Sequence, residues 1–317
     1  MAYNHIVMVT STFFGGTPMN MKQFKYAMVL ANEKSVSRAA ESLGISQPSL
    51  SQYLKKIESE VGARLFDRSG SEVRLTDAGR AYIDAGKKIL DIEHQMEGRI
   101  SDINNNIEGS ISVGVSPYRT ISIMPEIIKE FSVKYPNFKV ILEERTGREL
   151  LDGAEHGEYD FCITTAPVDK KVFDSVKIMD EEVVLAAPAA KKIKTEKTEE
   201  KKYPVIDIGV LNGEEVITLS ESQLMQKMLE DICMQYGISH KTYISCTSIG
   251  AQLAMVRAGL GVALVPSGTV RSKDEGIKYY SFKQKLPLRE IVVAYRKEQY
   301  ISKPMKAFVE VMKKLGL

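Results

Sequence analysis

Cysteine and histidine are scarce in this chain, and their placement excludes most of the chemistry they would carry. The three cysteines, Cys162, Cys233 and Cys246, are odd in number and widely spaced, with no Cys-x-x-Cys pair. They outline neither a disulfide scaffold nor a zinc site, and the four histidines do not fall at metal-ligand spacing. Inert buried thiols in a reducing cytoplasm are the favoured reading, with no metal and no other cofactor expected. Long hydrophobic runs are also missing, since nothing approaches the roughly 20 apolar residues of a membrane helix. The first twenty residues contain Ile-Val-Met-Val at 6–9 but no basic segment ahead of it and no convincing cleavage site. No nucleophile–base–acid set is readable, and no Gly-rich phosphate loop follows a strand. The stretch AGLGVALVP (258–266) runs from a helix end into a strand, the reverse of the dinucleotide-binding order. Gly259 and Gly261 therefore read as a helix cap and a tight turn, and the chain reads as a non-enzyme.

What is present is ordinary in bulk and specific in arrangement. With 317 residues, 44% hydrophobic and 26% charged, the chain has material for two or three globular domains. A net charge of +2 excludes a strongly basic protein, and even residues 22–76 carry only nine cations against six acids. Any affinity for a polyanion must then come from where the charges sit. The informative stretch is SVSRAAESLGISQPSLSQYLKKIESEVG, residues 35–62. Val36, Ala39, Ala40 and Leu43 recur at helical spacing behind a Ser35 N-cap, and Gly44 supplies the left-handed residue that ends this first helix. Ser46 caps a second helix with Pro48 in its first turn, and Leu50, Leu54, Ile57 and Val61 form its apolar stripe. Its opposite face is Gln47, Ser49, Ser51, Gln52, Lys55 and Lys56, without an acid until Glu58. A helix (Met21–Ala31) precedes the pair. A short hairpin follows, from Leu65-Phe66 through a Ser69-Gly70 turn to Val73-Arg74-Leu75. This is the layout of a winged helix-turn-helix, whose second helix offers its polar N-terminal residues to base edges in the major groove. A solvated amphipathic hairpin of the same outline would serve assembly alone.

From about Met19 to Gly79 the sequence resembles the LysR-type transcriptional regulators without a gap. The resemblance rests on an apolar helix, S-V-S-R-A-A-E-S-L-G-I-S-Q-P-S-L-S-Q-Y-L-K-K-I-E, then G-A-R-L-F-D-R and L-T-D-A-G. The candidate DNA contacts are Ser46, Gln47, Pro48, Ser49, Ser51 and Gln52 on the recognition helix. To these are added the cations Arg38, Lys55, Arg68 and Arg74, of which Lys55 and Arg74 suit phosphates. The resemblance implies double-stranded promoter DNA as a partner, RNA polymerase as another, and a homodimer or homotetramer. Family members begin almost at the helix-turn-helix, so residues 1–18 are expected to be a disordered or mis-assigned extension, with Met19 or Met21 as the start.

A long helix is expected from the Thr76 N-cap to about Asn104. Ala78, Tyr82, Ala85, Ile89, Ile92, Met96, Ile100 and Ile103 follow at spacings of three and four on it. So narrow a stripe on so long a helix calls for a second copy, with Ala85, Ile89, Ile92 and Met96 as the dimerising residues; the family resemblance names the same segment as the linker helix. After a hinge at 104–106, strands alternate with amphipathic helices. Strands are expected at 111–116, 139–144, 161–166 and a pair within 176–188. In a second unit they fall at 215–219, 242–246 and 261–266, with final strands at 278–282 and 289–295 and a last helix at 303–315. Helices are expected at 121–135, 148–157, 223–236 and 249–258. Residues 191–202 read as a solvated charged loop.

The fold class expected is α+β multidomain: an all-α winged helix-turn-helix (19–76), a linker helix and hinge (77–109), and a two-lobed α/β effector domain (110–317). The last resembles type-2 periplasmic binding proteins, with lobe I at 110–187 and 267–317 and lobe II at 188–266. The chain is expected to cross between lobes near 186–190 and 264–268. Hydroxyls cluster where open α/β sheets bind ligands, past the C-terminal strand ends. They are Ser116, Thr146, Thr164 and Thr165 in the first lobe and Ser220, Thr247 and Ser248 in the second, with Val265 and Pro266 as apolar neighbours. Each alone could be a helix cap; converging on one cleft, they suit a small, anionic effector. Arg119 and Arg148 could add charge there or face solvent. The competing reading is a ligand-binding protein or enzyme that uses the helix-turn-helix only for assembly.

Overall fold

The computed structural model describes residues 20–104, 108–196, 201–221, 223–270 and 274–315, so the expected extension at 1–18 lies outside the described residues. The chain divides into two compact units, one up to Glu97 and one from Gly98.

In the first unit, helix α1 (Met21–Glu33) starts at a capping box. The Asn20 side chain accepts from the Lys22 amide at 2.9 Å and Gln23 bonds back to the Asn20 backbone. Helix α2 (Val36–Ser42) is capped by Ser35, and α3 (Gln47–Val61) by Ser46, with Pro48 in its first turn. Gly44 between them has φ +65°, a backbone that side chains with a Cβ rarely adopt, which is why the corner can be so tight. Leu50, Leu54 and Ile57 bury their stripe against Phe24, Leu30, Ala39 and Ala40. The wing is two short antiparallel strands, β1 (Phe66–Asp67) and β2 (Arg74–Leu75), pairing Phe66 with Leu75. The Thr76 hydroxyl accepts from the Gly79 amide at 2.9 Å and so starts α4 (Asp77–Ile103).

The stripe on α4 serves two purposes in succession. Tyr82 and Ile83 are buried in the winged core, and Gly86 lies so close to α1 that an added Cβ would stand 2.5 Å from the Phe24 ring. Beyond that turn the stripe emerges: Ile92 is 65% exposed, Met96 55% and Ile100 49%. Ala85 is exposed and Ile89 half-buried at the margin of the winged core.

The last turn of α4 belongs to the second unit. There the Asp102 carboxylate accepts from the Tyr300 hydroxyl and the Lys303 amide, both at 2.8 Å. The first lobe of this unit is a five-stranded sheet in the order β4-β3-β5-β13-β6. Its strands are β3 (Glu108–Val115), β4 (Asn137–Glu144), β5 (Phe161–Thr165), β6 (Phe173–Glu181) and, late in the chain, β13 (Arg289–Arg296). The first three are parallel, while β13 runs antiparallel to both β5 and β6. Helix α7 (Gly147–Glu155) covers one face; α6 (Met124–Lys134) and α10 (Lys303–Leu315) cover the other, where Phe131 and Phe308 meet at 5.1 Å. The single helix expected at 121–135 is two, α5 (Pro117–Ser122) and α6, interrupted at Ile123 because Pro125 cannot continue a ladder from the preceding turn.

The second lobe has β11-β7-β12-β8 in one sheet: β7 (Val183–Pro188), β8 (Val205–Ile206), β11 (Ala263–Pro266) and β12 (Ile277–Phe282). Strands β9 (Glu215–Leu219) and β10 (Lys241–Cys246) pair in parallel and meet the start of β11 through a Val216–Val262 bridge. Helices α8 (Leu224–Tyr236) and α9 (Ile249–Arg257) pack on them. The chain crosses between lobes at other places than expected. The first crossing is at Glu182, since β6 pairs in the first lobe and β7 in the second. The other lies between Phe282 and Arg289, because β12 zips against β7 from Ile277↔Pro188 to Tyr280↔Leu185. The expectation failed because two adjacent strands of like composition carry no sign of which sheet will accept them. Within the charged loop, Glu196 bridges Val205 and pairs with Lys283, while Lys201 pairs with Glu182; residues 197–200 are outside the described set.

Candidate functional site

Two surfaces carry the residues singled out from sequence. On α3, Ser46, Gln47, Pro48, Ser49 and Gln52 are all exposed, and Ser51 is half-buried. The helix start is held in place by its own polar groups. Ser46 Oγ and Ser49 Oγ lie 2.7 Å apart, and the Ser37 hydroxyl donates to Gln47 Oε1 at 3.0 Å. Gln52 and Lys55 are exposed and have no hydrogen bond or ion pair among the described residues, so their polar ends are available to another molecule. Arg74 is exposed on the wing. Arg38 is exposed but tethered, its Nη2 donating to the Glu33 carbonyl at 2.6 Å. Arg68 differs from the other cations. It is half-buried with Nη2 3.5 Å from Glu58 Oε2, while Glu58 Oε1 accepts the Leu65 and Phe66 amides at 2.9 and 3.1 Å. Its guanidinium therefore braces the corner between α3 and the wing.

In the second unit, a cavity of about 380 Å³ opens between the lobes. Ser116, Thr146, Thr164 and Thr165 line it from the first lobe and Thr247 and Ser248 from the second, with Leu150, Leu224, Met225 and Leu253 as apolar wall. Ser220 does not line it; Gln223, three residues on, does, with its side chain donating to the Thr247 carbonyl at 2.9 Å. Val265 and Pro266 do not line it either. They are buried in the sheet, paired with Val184 and Val183, and Thr269 faces the cavity instead. Antiparallel zipping of β11 against β7 keeps that strand end inside the core.

The hydroxyls are not equivalent. Ser248 Oγ accepts from the Ala251 amide at 3.2 Å and so caps α9. Ser116 and Thr146 stand at N-cap positions of α5 and α7 without a side-chain capping bond, and Ser116 Oγ is buried with no hydrogen-bond partner among the described residues. Thr165 Oγ1 accepts from Arg119 Nη2 at 3.3 Å and from Arg289 Nη2 at 3.2 Å. Arg148 is solvent-exposed and pairs with Asp152, whereas Arg119 is buried in the cavity wall.

Sequence reasoning missed a buried polar network beside these hydroxyls. Glu181 Oε2 accepts from Arg289 Nη1 at 2.7 Å and faces the Tyr118 hydroxyl at 3.5 Å, while Glu181 Oε1 accepts the Gly268 amide at 3.2 Å. Glu181 and Arg289 are 108 positions apart and meet because both chain crossings lie side by side, so no local spacing announces them. The thiols lie elsewhere. Burial pushes Cys162 up to about 12 and also raises Cys233 and Cys246.

Comparison with known proteins gives a consistent result along the chain. Residues 21–80 match the family described as "Bacterial regulatory helix-turn-helix protein, lysR family" and residues 104–316 the family "LysR substrate binding domain". An uncharacterised HTH-type transcriptional regulator of Bacillus subtilis, YcgK, is 29% identical over 92% of this chain and 94% of its own length. A hydrogen peroxide-inducible genes activator of Haemophilus influenzae is 27% identical over 88% and 91%. Among solved structures, a full-length OxyR variant from Pseudomonas aeruginosa superposes with a TM-score of 0.69 at 25% identity, covering 93% of this chain and 98% of that one. The LysR family regulator CbnR gives 0.70 at 19% identity over 94% and 100%.

Proposed function

Because this chain belongs to the LysR family of bacterial transcriptional regulators, we propose that it reads promoter DNA with α3 and the wing and responds to a small anion held between the lobes of its effector domain. The observation that carries the DNA half is the outward face of α3, where Gln52 and Lys55 stand exposed and unengaged among the described residues. A glutamine amide matches the donor and acceptor of an adenine edge, and a lysine neutralises a phosphate. The outward apolar row on α4 suits pairing of two copies, as a dimer or within a tetramer, so that paired half-sites are held at once. The protein acts in the cytoplasm, in contact with RNA polymerase, and has no catalytic role.

Titration of promoter DNA and random DNA at several salt concentrations tests this reading. Gln52→Ala should lower specific affinity by about 1–3 kcal/mol and leave binding to random DNA nearly unchanged. Lys55→Ala should weaken both and reduce the salt slope by about one unit. Equal losses on both DNAs for Gln52→Ala would remove the base-reading role. Absence of salt-dependent binding would favour a helix-turn-helix used for assembly alone.

Relatives named as hydrogen peroxide-inducible activators suggest a second trigger, thiol oxidation. It asks for a thiolate, the reactive form, and here burial raises all three thiols and keeps them protonated near neutral pH. Replacing Cys162, Cys233 and Cys246 singly by alanine should therefore leave the DNA-binding response to its effector intact. Titration of the native protein with a thiol reagent at neutral pH should be slow. Rapid modification, or loss of response in one variant, would point to oxidation instead.

A further inference from the structure

The cavity wall holds more buried positive charge than negative. Arg119 is 5% exposed, Arg289 7%, and Glu181, the carboxylate between them, 3%. Arg289 takes Glu181 Oε2 at hydrogen-bonding distance, 2.7 Å, while Arg119 Nη2 stands 3.7 Å from the same oxygen. Arg119 bonds the Thr165 hydroxyl at 3.3 Å and lies over the Tyr118 ring at 4.8 Å, and neither contact supplies a negative charge. Glu181 sits behind the wall rather than in it; the acid that lines the cavity among the described residues, Asp274, is already held by Arg257 through contacts of 3.2 and 2.7 Å and by the Tyr279 hydroxyl at 3.3 Å. Among the described residues, one guanidinium is thus left without a counter-charge of its own. A guanidinium does not shed its proton in a protein, and a buried charge left unanswered is costly, so the arrangement is completed by an anion. Ser116, three residues before Arg119, adds a second unused group to the same wall, its buried Oγ without a hydrogen-bond partner among the described residues.

Resting on the reading of this cavity as the effector site, we propose that Arg119 is the residue that selects the effector's charged end, a carboxylate or other oxyanion, with the Ser116 hydroxyl donating beside it. The rest of the ligand lies against Ile121, Leu150, Leu224 and Leu253, so an oxyanion on a short apolar body is the fitting class. Glu181 also receives the Gly268 amide from the second lobe, which places the selected charge next to a contact that joins the lobes.

The test uses the full-length protein at constant ionic strength, with butyrate, its neutral isostere butyramide, and sulfate as probes in thermal-shift and calorimetric titrations. Butyrate should raise the melting temperature saturably and butyramide should not; the response to sulfate separates an organic carboxylate from an inorganic oxyanion as the preferred source. Arg119→Met should weaken the bound anion roughly tenfold or more. It should also melt, without ligand, at or above the wild-type temperature, because the Arg289–Glu181 pair that remains is balanced. Arg119→Lys should keep part of the affinity. A ligand-free Arg119→Met that melts far below wild type, or does not fold, makes Arg119 a counter-ion of Glu181 and overturns the proposal. Anion affinity unchanged in Arg119→Met but reduced in Thr247→Val overturns the role of Arg119 and leaves the cavity reading standing. No anion-dependent shift in the wild type overturns both.

Discussion

Ile92→Asp should separate the assembled protein into single chains whose winged domains are still folded. Ile92 lies just past Ile89 and Leu90, which pack against the winged core, and it is 65% exposed. Met96 and Ile100 continue its row at successive spacings of four, each about half exposed at 55% and 49%. Three large apolar side chains in line on one helix form the kind of seam that a second helix covers, and a carboxylate at its centre would be buried against its twin. The winged domain should be spared, since Ala78, Tyr82, Ile83, Gly86, Ile89 and Leu90 make its contacts with α4 and Ile92 is not among them. Affinity for paired half-sites should fall by about 100-fold or more, as simultaneous engagement is lost. Sedimentation would show the change in mass directly. A mass equal to wild type would mean that the seam lies elsewhere.

Glu181→Gln should be the most destabilising single change in the effector domain that alters no volume. The amide keeps the shape and can still accept a hydrogen bond, but it leaves Arg289 and Arg119 facing each other with no negative charge, only neutral partners such as the Thr165 and Tyr118 hydroxyls, among the described residues. Breaking a buried ion pair by removing one charge costs about 3–5 kcal/mol. For a domain of this size, that corresponds to a fall in melting temperature of roughly 6–20 °C. Adding Arg119→Met to Glu181→Gln should recover part of the loss, since one of the two unanswered charges goes with it. Calorimetric melting of the two variants and wild type decides the point. A Glu181→Gln protein that melts with wild type would show that water reaches the network and screens it.

The N-terminal unit was legible because its information is local. Ser35, Gly44, Ser46 and Pro48 act on backbone within a turn of themselves, and the Leu50, Leu54 and Ile57 stripe is visible at its own period. Elements of the effector domain were legible for the same reason. Their assignment to lobes was not. β6 and β7 follow one another with a single residue between them, and only hydrogen bonding to β13 on one side and to β11 and β12 on the other divides them. Pro125 in turn split a helix that the apolar period alone had run together.

The candidate cavity divides in the same way. Six of the hydroxyls singled out from strand ends, Ser116, Thr146, Thr164, Thr165, Thr247 and Ser248, share its wall because strand-to-helix turns of an α/β sheet collect at one edge whatever the sequence between them. Sequence by itself determined that rule-governed part: two helices at a corner, a wing, a long striped helix, and hydroxyls at strand ends. Tertiary structure alone decided which of them are caps and which are unused. It also turned Arg68 inward onto Glu58, sank Val265 and Pro266 into a sheet, and brought Arg119, Glu181 and Arg289 together. The physical reason is range: capping and periodicity act over one turn of backbone, whereas a buried charge finds its partner only where distant segments of chain are packed side by side.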